Sequence, residues 1–200
     1  MQYSILCLGD SYTIGESVAL HEGFPYQLIQ QLRKAGYDFA APEIIAKTGW
    51  TTFELLQHLS QIQLSNHYNF VTLLIGVNNQ YRDLSINDFE IDFEQLLKRA
   101  IEFADHQNHK VIVLSIPDWG TSTFGKDKNE NKQISNAINE FNAVCKKYAD
   151  QYNTAFVDIT EETRKAREDT RLLAKDGLHY SAKEHAIWAT STFEAMKKVL

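Results

Sequence analysis

Ile5-Leu6-Cys7-Leu8-Gly9-Asp10-Ser11-Tyr12 is the stretch whose reading decides the fold. Its apolar run has no polar alternation, as a strand of a parallel sheet covered on both faces demands. Gly-Asp-Ser then reads as the turn that leaves the strand, with Ser11 at the carboxyl end. Working outward, similar runs rich in Val, Ile and Phe recur at residues 44–46, 70–75, 111–116 and 155–159. Amphipathic stretches separate them and predict helices over 25–35, 51–64, 86–106, 131–152 and 181–200. Gly36 stops the first of these. Thr51-x-x-Glu54 and Ser181-x-x-Glu184 read as capping boxes. Strand and helix in alternation predict an α/β fold: a three-layer α/β/α sandwich around a parallel sheet.

The chain has 200 residues, one domain's worth, and no repeat or linker divides it, so residues 1–200 are expected to form a single domain. Twenty basic residues against 26 acidic give a net charge of −6, with the two signs interleaved. That balance argues against a nucleic-acid partner, since phosphate binding needs clustered Lys and Arg. No apolar run is long enough for membrane insertion. The start Met1-Gln2-Tyr3-Ser4 lacks a basic n-region, and Cys7 and Cys145 read as reduced core residues, so a cytoplasmic protein is expected. The two cysteines have no metal-ligand spacing, and His106 and His109 read as cations at a helix end, so no metal is expected.

In open parallel sheets ligands sit beyond the carboxyl ends of the strands. Ser11 follows the first strand, Gly49 the second, Asn78 the third, and a long loop (116–130) the fourth. A serine hydroxyl needs an adjacent base to attack at neutral pH. His179 suits that role, and Asp176, three residues before it, can hold its other ring nitrogen. The backbone N–H groups of Ser11 and Gly49 and the Asn78 side-chain amide are candidates for an oxyanion hole. Trp50, Trp119 and Phe124 line an acyl or aryl pocket or simply pack. Tyr81 and Arg82 follow the Asn78 block closely, and Arg82 meets either a polar substrate group or a surface carboxylate.

Four blocks, Gly9-Asp10-Ser11-Tyr12, Lys47-Thr48-Gly49-Trp50, Gly76-Val77-Asn78-Asn79 and Asp176-Gly177-Leu178-His179, stand in the order of the SGNH/GDSL hydrolases, which the chain resembles over nearly its whole length. The resemblance implies a flavodoxin-like sheet of about five parallel strands, an Asp-His-Ser triad, a three-donor oxyanion hole and no cofactor. It departs at Tyr12, where Leu is usual, and at Asn79, where many members have Asp. The latter leaves open what braces the site.

The function expected is a serine-dependent esterase or acylhydrolase that cleaves small ester or thioester substrates through an acyl-enzyme on Ser11. An acyltransferase or carbohydrate deacetylase would use the same residues. A non-catalytic flavodoxin-like binding module is the alternative from another class. The chain lacks the Ser/Thr-rich phosphate loop that a flavin carrier needs. Gly15-Glu16-Ser17-Val18-Ala19 resembles a nucleophile elbow, but no strand directly precedes it, so Ser17 reads as an ordinary loop or helix residue.

Overall fold

A computed structural model describes residues 2–65, 67–126 and 131–200. In chain order its elements are β1 (Ile5–Gly9), α1 (Ser11–Ile14), α2 (Phe24–Lys34), β2 (Glu43–Ala46), α3 (Thr52–Gln61), β3 (Phe70–Leu74) and α4 (Val77–Tyr81). They continue with α5 (Ile86–Phe103), β4 (Val111–Leu114), α6 (Thr123–Lys126), α7 (Asn131–Gln151), β5 (Ala155–Val157), α8 (Thr160–Arg164) and α9 (Ala182–Lys197).

The strands form one five-stranded sheet in the order β2-β1-β3-β4-β5, and every pairing is parallel. α2 and α9 pack together, and α3, α5 and α7 form a second helical layer. The predicted three-layer α/β/α architecture is therefore the observed one. β1, β3 and β4 are buried along their whole length, which is why their sequences carry no polar alternation. The edge strands β2 and β5 are half-covered, so Glu43 is tolerated in β2. The strand order reverses at β1, whose carboxyl end faces that of β3 across the switch point. Ser11 and the Gly76-Val77-Asn78 turn both emerge there.

Several boundaries differ from the sequence reading. α5 ends at Phe103 rather than 106, because Asp105 and His106 take left-handed φ angles of 54° and 58°. Loop 116–130 is partly helical: a 3₁₀ turn at Trp119–Thr121 leads into α6, and residues 127–130 lie outside the described residues. The Thr51/Glu54 capping box forms as expected, with Thr51 N–H donating to Glu54 Oε2 at 2.8 Å. The Ser181/Glu184 box does not. Glu184 turns into the core, where its Oε1 accepts from Trp188 Nε1 at 2.9 Å, and Ser181 Oγ has no partner among the described residues. The buried indole N–H takes that carboxylate in place of the helix start.

Candidate active site

Asp10 is the N-cap of α1: its Oδ1 accepts from Tyr12 N–H at 3.0 Å. Ser11 thus becomes the first helical residue, with its own N–H unpaired among the described residues, as helix starts leave it. Asp10 is only 1% exposed and its Oδ2 has no partner among the described residues. Burial pushes its carboxyl up to about 7. Ser11 is buried, and its hydroxyl hydrogen-bonds to no described residue, His179 included. Apo geometry of this kind commonly tightens only with substrate bound.

The loop before α9 carries Asp176 and His179. Gly177, at φ 70°, permits the tight turn that folds Asp176 back on its own chain. Asp176 Oδ1 accepts from the Leu178 and His179 N–H groups, both at 2.9 Å. Its Oδ2 faces His179 Nδ1 at 2.7 Å. An ionised carboxylate there requires Nδ1 to carry the proton, which leaves Nε2 as the basic nitrogen. Burial works to raise the Asp176 carboxyl. Hydrogen bonds from Ser17, the His179 ring and the two backbone groups outweigh it and hold the carboxyl well below the usual range. The Tyr12 ring packs edge-on against His179 with centroids 5.7 Å apart, which brings this loop onto the helix that begins at Ser11.

The second and third strand ends are tied together. Gly49 takes φ 84°, and its N–H is unpaired among the described residues. Its carbonyl accepts from Arg82 Nη2 at 2.5 Å. Asn78 donates one amide hydrogen to the Trp50 carbonyl at 2.9 Å, so its second is available. Asn79 is buried beside it: Oδ1 accepts from Thr52 N–H at 3.0 Å and Nδ2 donates to Thr52 Oγ1 at 2.7 Å. This residue braces the α3–α4 junction without a charge, which answers what replaces the usual Asp.

Of the aromatic candidates, Tyr81, Trp119 and Phe124 form one cluster, with Tyr81–Trp119 centroids 5.2 Å apart and Trp119–Phe124 centroids 6.1 Å apart. Trp119 is buried and donates to Gln80 Oε1 at 2.6 Å, so it supports the cluster from below. Tyr81 is 45% exposed at the surface. Phe124 N–H donates to the Gly177 carbonyl at 3.0 Å, which joins the cluster to the Asp176 loop. Trp50 lies apart, tilted against His58 at 4.8 Å. Arg82 pairs with Glu54 at 3.3 Å as well as with Gly49. Ser17, by its sequence an ordinary loop or helix residue, donates its hydroxyl to Asp176 Oδ2 at 2.5 Å, a contact between opposite ends of the chain. Among the described residues no cluster of His, Cys, Asp or Glu is disposed to hold a metal ion, and no helix is long and apolar enough to cross a membrane.

The family model for GDSL-like lipases and acylhydrolases matches residues 7–187. The chain belongs to that family. No curated protein sequence matches it. Among solved structures, this GDSL-family chain is similar to TesA, at 20% identity and a TM-score of 0.76, over 98% of this chain and 99% of that one. It is similar to Axe2, an acetylxylan esterase from Geobacillus stearothermophilus, at 17% identity and a TM-score of 0.78, over 97% and 94% of the chains. A lipase/acylhydrolase from Enterococcus faecalis aligns at 18% identity and a TM-score of 0.75, over 99% and 97%. At these identities the likeness shows the fold. The family match shows a hydrolase of the esterase and acylhydrolase group.

Proposed function

We propose that the protein hydrolyses small carboxylic esters or thioesters through an acyl-enzyme on Ser11. The observation that carries this reading is the Asp176–His179 pair, with Asp176 Oδ2 on Nδ1 at 2.7 Å and Oδ1 fixed by two backbone donors. It leaves a basic Nε2 on a ring that packs against the helix of Ser11. His179 takes the Ser11 proton as the hydroxyl attacks the carbonyl, then delivers it to the leaving alcohol or thiol. Asp176 holds the tautomer and stabilises the imidazolium. The Ser11 and Gly49 N–H groups and the free Asn78 amide hydrogen take the oxyanion, and each such donor is worth about 3 kcal/mol. Water enters as second nucleophile, His179 again acts as base, and Ser11 is released.

Residues 1–200 act as one catalytic unit in this reading, in a cytoplasmic setting that suits two buried free thiols. Family membership favours hydrolysis over a non-catalytic binding module. Removal of acetyl groups from a carbohydrate is a narrower form of the proposal. Axe2, whose fold this chain shares, is an acetylxylan esterase. The test is turnover of a p-nitrophenyl ester series by the wild type and Ser11→Ala. The proposal expects a short-chain optimum and a loss of at least about a thousandfold in the variant. A variant that keeps a tenth of the activity contradicts the nucleophile, and a long-chain optimum contradicts the small-substrate reading.

A further inference from the structure

Gly15 closes α1 with φ 77°, and the chain then turns through Ser17, which takes φ 67° without being glycine. A left-handed conformation at a residue with a side chain costs energy and marks a position held by its surroundings. Two contacts hold this turn. Glu16 Oε2 accepts from Thr48 Oγ1, in the loop that carries Gly49. Ser17 Oγ donates to Asp176 Oδ2 at 2.5 Å, the same oxygen that accepts from His179 Nδ1. The dipeptide after the nucleophile helix therefore reaches the Gly49 loop on one side and the Asp176–His179 loop on the other.

We propose that Ser17 is a positioning residue of the acid–base pair, its hydroxyl fixing the Asp176 carboxylate and moderating how strongly that carboxylate holds the His179 ring. The assignment rests on the Ser11 hydrolase reading and deepens it. Asp176 Oδ2 has two lone pairs, and Ser17 and His179 occupy one each. The Asp176 side chain is 34% exposed against 13% for His179, and the serine hydroxyl is the side-chain donor on that more open flank. A hydroxyl donated to a carboxylate spreads its charge. Loss of the donor leaves a more basic oxygen facing the imidazole.

Tyr12 from α1 and His185 from α9 act on the pair, and Tyr180, Asp10 and Asp118 act in turn on Tyr12. Burial keeps both tyrosines neutral, raising Tyr12 and Tyr180 above the ordinary phenol range. Burial also pushes His185 down to about 3, so it is neutral at working pH. Asp10, pushed up to about 7, titrates within the working range in wild type and variant alike, so only the difference between them reports on Ser17.

Two substitutions separate hydroxyl from backbone. Ser17→Ala and Ser17→Gly both remove the donor, but only glycine relieves a φ of 67°. Both are expected to lose about threefold to tenfold in kcat at unchanged KM, the size of one hydrogen bond. In both, the acid limb of kcat/KM moves up by roughly half a pH unit. In both, the far-downfield NMR resonance of the His179 Nδ1 proton moves further downfield. Their melting temperatures separate, with Ser17→Gly the more stable. Wild-type kinetics in Ser17→Gly alone would assign the defect to the backbone and overturn the proposal. So would a kcat loss with neither a pH shift nor a resonance shift. If the resonance moves but the wild type shows no Ser11-dependent turnover, the coupling stands and the hydrolase reading fails.

Discussion

Replacing Asn79 by Asp, the residue many relatives carry, is expected to destabilise this chain. Thr52 N–H must find an acceptor, which fixes Asn79 Oδ1 toward it and Nδ2 toward Thr52 Oγ1. Because Thr52 Oγ1 accepts from Asn79, its single proton is free to go to Asp92 Oδ2, at 3.1 Å. An aspartate has no donor to offer. The Thr52 proton must then choose between two carboxylates, and one loses its hydrogen bond, worth about 1–2 kcal/mol for a charged acceptor. The new anion also faces Asp92, whose carboxyl burial and Asp88 already push up. A second like charge at this range adds about 1–2 kcal/mol. The total for Asn79→Asp is a loss of about 2–4 kcal/mol at pH 7.5. Asp92 is raised in the folded state, and a second carboxylate buried beside it is expected to raise both, so the penalty is absent below the unfolded-state value near 4 and grows as pH rises through the folded values. Urea unfolding of wild type and variant at pH 7.5 and 4.5 measures it, and Asn79→Asp combined with Asp92→Asn should recover most of the loss. Equal stability at pH 7.5, or a deficit that does not change with pH, would refute the reasoning.

Arg82→Met is expected to leave stability within about 0.5 kcal/mol, because its ion pair with Glu54 is exposed on both sides. It should lower kcat about fivefold to thirtyfold by releasing the Gly49 carbonyl, a fraction of the cost of deleting an oxyanion donor. A rise in KM at constant kcat would instead place Arg82 on the substrate. His185, 1% exposed, accepts from Phe24 N–H through Nδ1 at 3.3 Å, and burial holds it down at about 3. It therefore contributes stability that is present above the unfolded-state value near 6.5 and is lost as pH falls, at about 1.4 kcal/mol per unit. His185→Asn, which keeps an acceptor for Phe24, should flatten the acid side of the stability profile by one proton. An unchanged slope would show that His185 is charged in the native state.

The central fold was legible because β1, β3 and β4 are covered on both faces and their sequences show it directly. The strand order β2-β1-β3-β4-β5 is that of the flavodoxin-like sheet the resemblance implies, although nothing local in 44–46 says that it pairs outside β1. The Asp176–His179 pair was legible for the opposite reason: its contacts are local, set by a turn over Gly177. Thr51 and Glu54 cap a helix end as their spacing says, whereas the same spacing at Ser181 and Glu184 fails because Trp188 supplies a buried partner. Ser17 reads locally as an ordinary loop or helix residue. Its contact with Asp176 depends on how the chain ends meet, and no window of sequence contains both.

Intact-mass spectrometry after fluorophosphonate treatment, followed by peptide mapping, tests the central claim most directly. An activated serine next to a basic imidazole reacts, and an ordinary buried hydroxyl does not. The account predicts a single adduct, mapped to Ser11, that disappears in Ser11→Ala and slows in His179→Ala. No adduct on the folded protein, or an adduct on Ser17 in place of Ser11, would contradict it.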